Sequence, residues 1–140
     1  MADTAPSLKL TIDGAMKLLN AAMAKAREMN VPQCICIVDA GGHLLTMARM
    51  DGAFALSIDT ALRKAQTAAA YGIPTGDIAA GIDIKLAIAT EGKRVNLLGG
   101  LPVIVDGHVI GGIGVGSGTG EQDKEIAKAA VAAFPGAKRY

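Results

Sequence analysis

A chain of 140 residues is enough for one ordinary domain with a single core and too short for two. With 14 basic against 13 acidic residues, no Trp, two Phe and two Tyr, it has neither the positive field that neutralises nucleic-acid phosphates nor aromatic platforms for stacked bases. No basic-then-apolar leader opens it and no apolar run reaches about 18 residues, so neither secretion nor membrane spanning is signalled and a cytoplasmic protein is expected.

Residues 1–9 read as a flexible tail and residues 10–140 as one domain. In "LTIDGAMKLLNAAMAKAREMN", Ile12, Met16, Leu19, Met23 and Ala26 recur at spacings of three and four, with Thr11 placed to cap and Asp13 in the first turn, which predicts an amphipathic helix. "VPQCICIVD" and "HLLTMARM", separated by "AGG", read as a hairpin. Cys34 and Cys36, two apart, share one face of the first strand; that spacing suits neither a redox pair nor zinc, and reduced buried thiols are expected. "SIDTALRKAQTAAAYG" predicts a second helix capped by Ser57 and closed by Gly72. "IPTGDIAAGIDIKLAIATEG" is a weaker helix or two short pieces, with Thr75 or Asp77 as cap, because Gly76 and Gly81 each cost about 1 kcal/mol relative to Ala.

"LPVIVDGHVIGGIGV" places Asp106 and Gly107 between two β-branched runs, the signature of a two-residue hairpin turn. Thr119 with Gln122 three residues on forms a capping box for a last helix, whose apolar face runs through Ile126, Ala130 and Ala133 before Pro135. Two antiparallel hairpins separated by helices exclude a doubly wound parallel sheet and leave an α+β domain. Its high apolar content also favours an oligomer. An echo between residues 37–45 and 104–110, each apolar-apolar-Asp, glycine, His, reads as two turns solved with the same chemistry or, less simply, as the trace of an ancestral duplication.

The run "GGIGVGSGTGEQD" invites a phosphate-loop reading that its residues do not meet. The third glycine of a dinucleotide fingerprint is replaced by Ser117 or Thr119, no Gly-Lys-Ser/Thr follows, and Glu121 and Asp123 would repel a phosphate at the helix start. Glycines that let a strand approach a neighbouring backbone are the plainer reading.

In "ARMDGAF", Arg49 and Asp51 share a face of an extended backbone. They read either as a structural ion pair or as a carboxylate clamp oriented by Asp51. Lys64 lies beside the apolar stripe of the second helix, as a solvated flank or a group reaching into a cleft. His43 and His108 each follow a turn. A zinc site of three or four ligands is not assembled by the sequence, so no metal ion is assigned, whereas haem needs only one axial imidazole.

Taken in order, "IVDAGGHLLTMARMDGA", "SIDTALRKAQTAA" and "GGLPVIVDGHVIGGIGVGSGTGEQD" resemble the three signature blocks of the GlcG/HbpS-like proteins. This haem-degrading family includes the C-terminal domain of PduO-type adenosyltransferases. The resemblance runs over residues 10–133. It implies a profilin-like antiparallel sheet of about five strands flanked by helices, assembled as homo-oligomeric dimers or larger rings, with a small-molecule pocket near subunit interfaces. Mapped onto this chain, the pocket residues are Arg49, Met50, Asp51, Gly52, Lys64, Gly99, Gly100, Pro102 and Asp123. Relatives read valine-serine-glycine-glycine where this chain has "VGSGTG", a departure centred on Ser117.

Two functions follow as expectations. One is an interface-pocket binding protein for haem or a related acidic ligand, with Arg49 or Lys64 pairing propionates and His43 or His108 as axial ligand. The other is a small catabolic enzyme acting on an unsaturated organic acid. In that case Arg49 anchors the carboxylate, Asp51 or Asp123 moves protons, and backbone N–H groups near Gly100 or Ser117 stabilise negative charge.

Overall fold

The computed structural model describes residues 2–140. Residue 1 of the expected tail lies outside them; residues 2–9 are exposed and form no helix or strand, and Leu10 is the first buried side chain. Eight elements follow: α1 (Ile12–Met29), β1 (Cys34–Asp39), β2 (Leu44–Arg49), α2 (Ser57–Tyr71), α3 (Ile82–Ala89), β3 (Gly100–Val105), β4 (His108–Gly116) and α4 (Gly120–Ala132). The strands form one antiparallel sheet in the order β2-β1-β4-β3. Among the described residues four strands stand where about five were expected; beyond β3 they form a single bridge from Val105 to Ala137, fastened by the Lys138 N–H on the Ile104 carbonyl at 2.8 Å. Pro102 is tolerated because β3 is an edge strand.

Local chemistry sets most boundaries as expected. The Thr11 hydroxyl accepts from the Gly14 N–H at 3.1 Å, Thr119 and Gln122 complete a capping box, and Asp106 (φ 50°) with Gly107 (φ 77°) makes the β3–β4 turn. Gly72 closes α2 in the left-handed region. Three expectations are corrected. Ser57 is the first helical residue rather than the cap, since Leu56 before it is already helical in φ and ψ. Thr75 caps nothing: its hydroxyl accepts from the Gly100 N–H at 2.8 Å and ties the loop after α2 to β3. In α4, Ala127 and Val131 join Ile126 and Ala130 on the buried face, while Ala133 is exposed.

The sheet is sandwiched. Cys34, Cys36 and Val38 face α2 and pack on Ala61, Ala65 and Ala69, whereas Ile35, Ile37, Leu101, Ile113 and Val115 face α1 and α4. The α1 stripe is turned from the expected one. Ala15, Leu18, Leu19, Ala22 and Ala26 are buried while Ile12 and Met16 are exposed, because the alanines let the helix lie close to its neighbours. The α2 side is tighter still. A methyl group added to Gly114 would collide with the Ala61 carbonyl, and one on Gly112 would lie 2.5 Å from the Ala65 carbonyl. The glycine run of β4 thus serves close packing of strand against helix backbone.

Candidate functional site at the Arg49 end of the sheet

The sheet has two ends, and the candidate residues divide between them. β2 and β4 finish, and β1 and β3 begin, at the end that carries Arg49, Ser117 and Gly99. His43 and His108 stand at the other end, beside the two hairpin turns.

At the first end, two charged side chains are enclosed. Lys64, 5% exposed, reaches from α2 past the start of β3; its ammonium donates to the Val115 carbonyl at 2.8 Å and to Asp123 Oδ2 at 3.0 Å, and Asp123 is 2% exposed. Glycine makes the passage possible. A Cβ at Gly99, whose φ is 120°, would lie 2.8 Å from Asp123 Cβ and 3.1 Å from Lys64 Nζ. The second carboxylate oxygen accepts from the Gly118 N–H at 3.0 Å and from the Gln33 amide at 2.9 Å, and the same amide donates to the Gly116 carbonyl. Burial pushes the Asp123 carboxyl above its ordinary range, against the pull of Lys64, Gly118 and Gln33. Lys64 is therefore no solvated flank. It joins the α2 layer to the α4 layer around the end of the sheet, and Gly99 and Gly100 are packed against it and Thr75.

Next to this pair the chain turns through residues 50–56. The Met50 N–H donates to the Gln33 carbonyl at 2.9 Å, and the Phe54 N–H donates to the Ser117 hydroxyl at 2.8 Å. Ser117 holds φ at 99°, a conformation that favours glycine, which makes it a strained anchor for this loop. Arg49, Met50 and Asp51 line an open cleft of about 470 Å³ against the end of α1, with Met23, Arg27 and Pro32 on the facing wall. Arg49 and Asp51 are both exposed and form no ion pair with each other among the described residues. Gly52, at φ 91°, turns the chain away from the cleft beside Pro32.

At the far end, the imidazole of His43 is 82% exposed with Nδ1 3.3 Å from Asp39 Oδ1. Although partial burial works the other way, the His43 and Gly41 N–H donors hold the Asp39 carboxyl below its ordinary range. His108 is half-buried. Both cysteines are free and buried; burial first, then Cys34 and Asp59, push the Cys36 thiol up to about 12, so it stays protonated at neutral pH. No cluster of three or more His, Cys, Asp or Glu able to hold a metal ion occurs among the described residues. Gln33 and Arg27 carry no sequence signal that marks them. One is a lone polar residue before an apolar strand, the other an ordinary charge on a helix.

Residues 10–132 match the family described as "Haem degrading protein HbpS-like". The chain belongs to the HbpS-like family. An uncharacterised 15.0 kDa protein of the dhaT-dhaS intergenic region of Citrobacter freundii is 41% identical over 130 residues, 89% of this chain and 92% of that protein. The corrinoid adenosyltransferase PduO of the same organism is 34% identical over 92% of this chain, but the match spans only 40% of PduO. Among solved structures, Klebsiella pneumoniae protein ORFY superposes with a TM-score of 0.90 at 34% identity, covering 96% of each chain. The PduOC domain in its haem complex gives a TM-score of 0.86 at 32% identity, covering 95% of this HbpS-like chain and 99% of that one. HbpS-like architecture is thus four helices about a four-stranded antiparallel sheet, and no described helix is long and apolar enough to cross a membrane.

Proposed function

We propose that this HbpS-like chain is a binding protein that takes haem, or another planar acidic molecule, in the cleft between the end of α1 and the end of β2, with a second copy closing its open side. One observation carries the reading: two guanidiniums, Arg27 and Arg49, and two thioethers, Met23 and Met50, line a single cleft of about 470 Å³. Neither arginine is ion-paired among the described residues, so both are free to meet carboxylates. That donor set fits haem. The guanidiniums suit its two propionates, and Met23, Met50, Pro32 and Ala48 suit its ring. Bound haem would supply redox-active iron; the chain's own residues anchor the acidic edge and exclude water from the apolar face. The soft donors within the cleft are the Met23 and Met50 thioethers, since His43 and His108 stand at the other end of the sheet. Phe54, 70% exposed, and Leu56, 78% exposed, follow Gly52 directly and offer a second copy an apolar seat beside the cleft.

An enzyme that moves protons with Asp51 and Asp123 finds less support. Asp123 has both oxygens engaged by Lys64, Gly118 and Gln33 and is sealed from solvent, while Asp51 is an exposed carboxylate that makes no ion pair among the described residues.

Haemin titration followed at the Soret band tests the reading. Saturable uptake is expected, weakened at least about tenfold in the Arg27→Gln, Arg49→Gln double variant, each lost charge-assisted bond being worth roughly 1.4 kcal/mol or more. Non-saturating binding, or binding indifferent to both arginines, would overturn it.

A further inference from the structure

A second cleft, of about 500 Å³, opens at the opposite end of the sheet. Its walls are the β1–β2 turn, the last turns of α2 and the segment after α3. Three cationic or cation-forming side chains line it, His43, Lys93 and Arg94; Glu91 is the acid in the lining, and Asp39 stands behind it against His43. The arginine is held in an unusual way. Its guanidinium carbon lies 3.7 Å from the centre of the Tyr71 ring, its Nε is buried without a hydrogen-bond partner, and it makes no ion pair among the described residues. Stacking on an aromatic face fixes the plane of the fork and leaves its edge donors free.

The segment that carries these cations is fastened rather than loose. The Thr67 hydroxyl, buried in α2, lies 2.8 Å from the Lys93 carbonyl and accepts from the Val95 N–H at 3.0 Å. The Thr90 hydroxyl donates to the Leu86 carbonyl at 2.7 Å and accepts from the Arg94 N–H at 2.9 Å. On the facing wall, the Gln66 amide donates to the Gly42 carbonyl at 3.0 Å and is itself steadied by Arg63 at 2.9 Å. Asp39 engages Nδ1 of His43, which leaves the other ring nitrogen available. The Thr67 and Thr90 hydroxyls thus hold a Lys-Arg pair that makes no ion pair among the described residues at the mouth of a concave site, an arrangement that surface lysines and arginines do not otherwise require.

We propose that this cleft is a second binding site, for a small organic dicarboxylate. Arg94 grips one carboxylate in the plane set by Tyr71, and Lys93 with His43 takes the other. A planar carboxylate matches the edge of a stacked guanidinium, and two separated cationic groups call for two acidic ones. The site is independent of the haem reading, since it shares no residue with the Arg27 and Arg49 cleft.

Tyrosine emission gives the readout. The chain has no Trp, and its tyrosines are Tyr71 and Tyr140, so Tyr140→Phe leaves Tyr71 as the reporter beneath Arg94. Succinate, acetate and inorganic phosphate are titrated into the full chain, with calorimetry in parallel. Saturable succinate binding is expected, at least about tenfold tighter than acetate or phosphate. Arg94→Gln should weaken it at least about tenfold and Lys93→Gln severalfold, with haemin uptake unchanged in both. Should Arg94→Gln fail to fold, the exposed Lys93→Gln decides. Absence of saturation by succinate, equal binding of acetate or phosphate, indifference to both substitutions, or displacement of succinate by haemin would each overturn the proposal.

Discussion

A buried ammonium without a counter-charge is among the costliest groups a small domain can hold. Asp123→Ala, which strands Lys64 beside the Val115 carbonyl, should therefore cost about 3–5 kcal/mol of unfolding free energy in denaturant titrations. Replacing both, as Lys64→Met with Asp123→Leu, should recover most of that loss. Failure of the double variant to recover would mean that the hydrogen bonds from Gly118 and Gln33 matter more than the charge pair. This is also the scale at which the sequence says least. Helical spacing puts Lys64 at the margin of the α2 stripe, and nothing local tells whether its chain bends to solvent or passes Gly99 into the interior. That depends on a glycine 35 positions away in sequence whose role appears only when β3 is laid beside α2. Arg49 and Asp51 illustrate the reverse. An unbroken extended backbone would give them one face, but β2 ends at Arg49, Asp51 lies in the turn beyond it, and both extend into water, where an ion pair gains little and need not form.

The hairpins, the caps of α1 and α4 and the close of α2 are legible because their chemistry is local: an Asp-Gly turn, a Thr hydroxyl at a helix start and a Gly at a helix end act within four residues, whereas Ser57 and Thr75 have the right chemistry for a cap but not the position. Faces were less so. For α1 the larger side chains Ile12 and Met16 suggested the stripe, but what fixes the buried side is how near the backbone can come, and alanine wins that contest. The same rule makes β4 unforgiving. Gly114→Ala should lift α2 from the sheet and expose Cys36, which lies opposite Gly114 in the β1–β4 ladder. Thiol labelling at pH 8 should therefore be slow in the native chain and fast in the variant, with lowered cooperativity of thermal unfolding; equal labelling would show that helix and strand can part without cost.

At the level of the whole molecule, α3 buries none of its side chains, and Ile84 and Ile88 project beyond it at 67% and 74% exposure. With a net charge of only +1 there is little repulsion to keep copies apart. Sedimentation should find an assembly larger than one chain, and Ile84→Lys with Ile88→Lys should shift it toward smaller species; a monomer in both would leave α3 without a purpose in assembly. The class of fold was readable from element order alone, whereas the positions of the two clefts were not, because each draws its walls from segments far apart in the chain. One further consequence lies in the unequal layers of the sandwich. On the α2 side, where glycine and alanine meet, random mutagenesis will tolerate almost no gain of volume. Across the sheet, where Ile35, Ile113 and Ile126 meet, it will tolerate almost no loss. Lineages of this domain are thus free to drift on its rims, while its two interiors are held by opposite prohibitions.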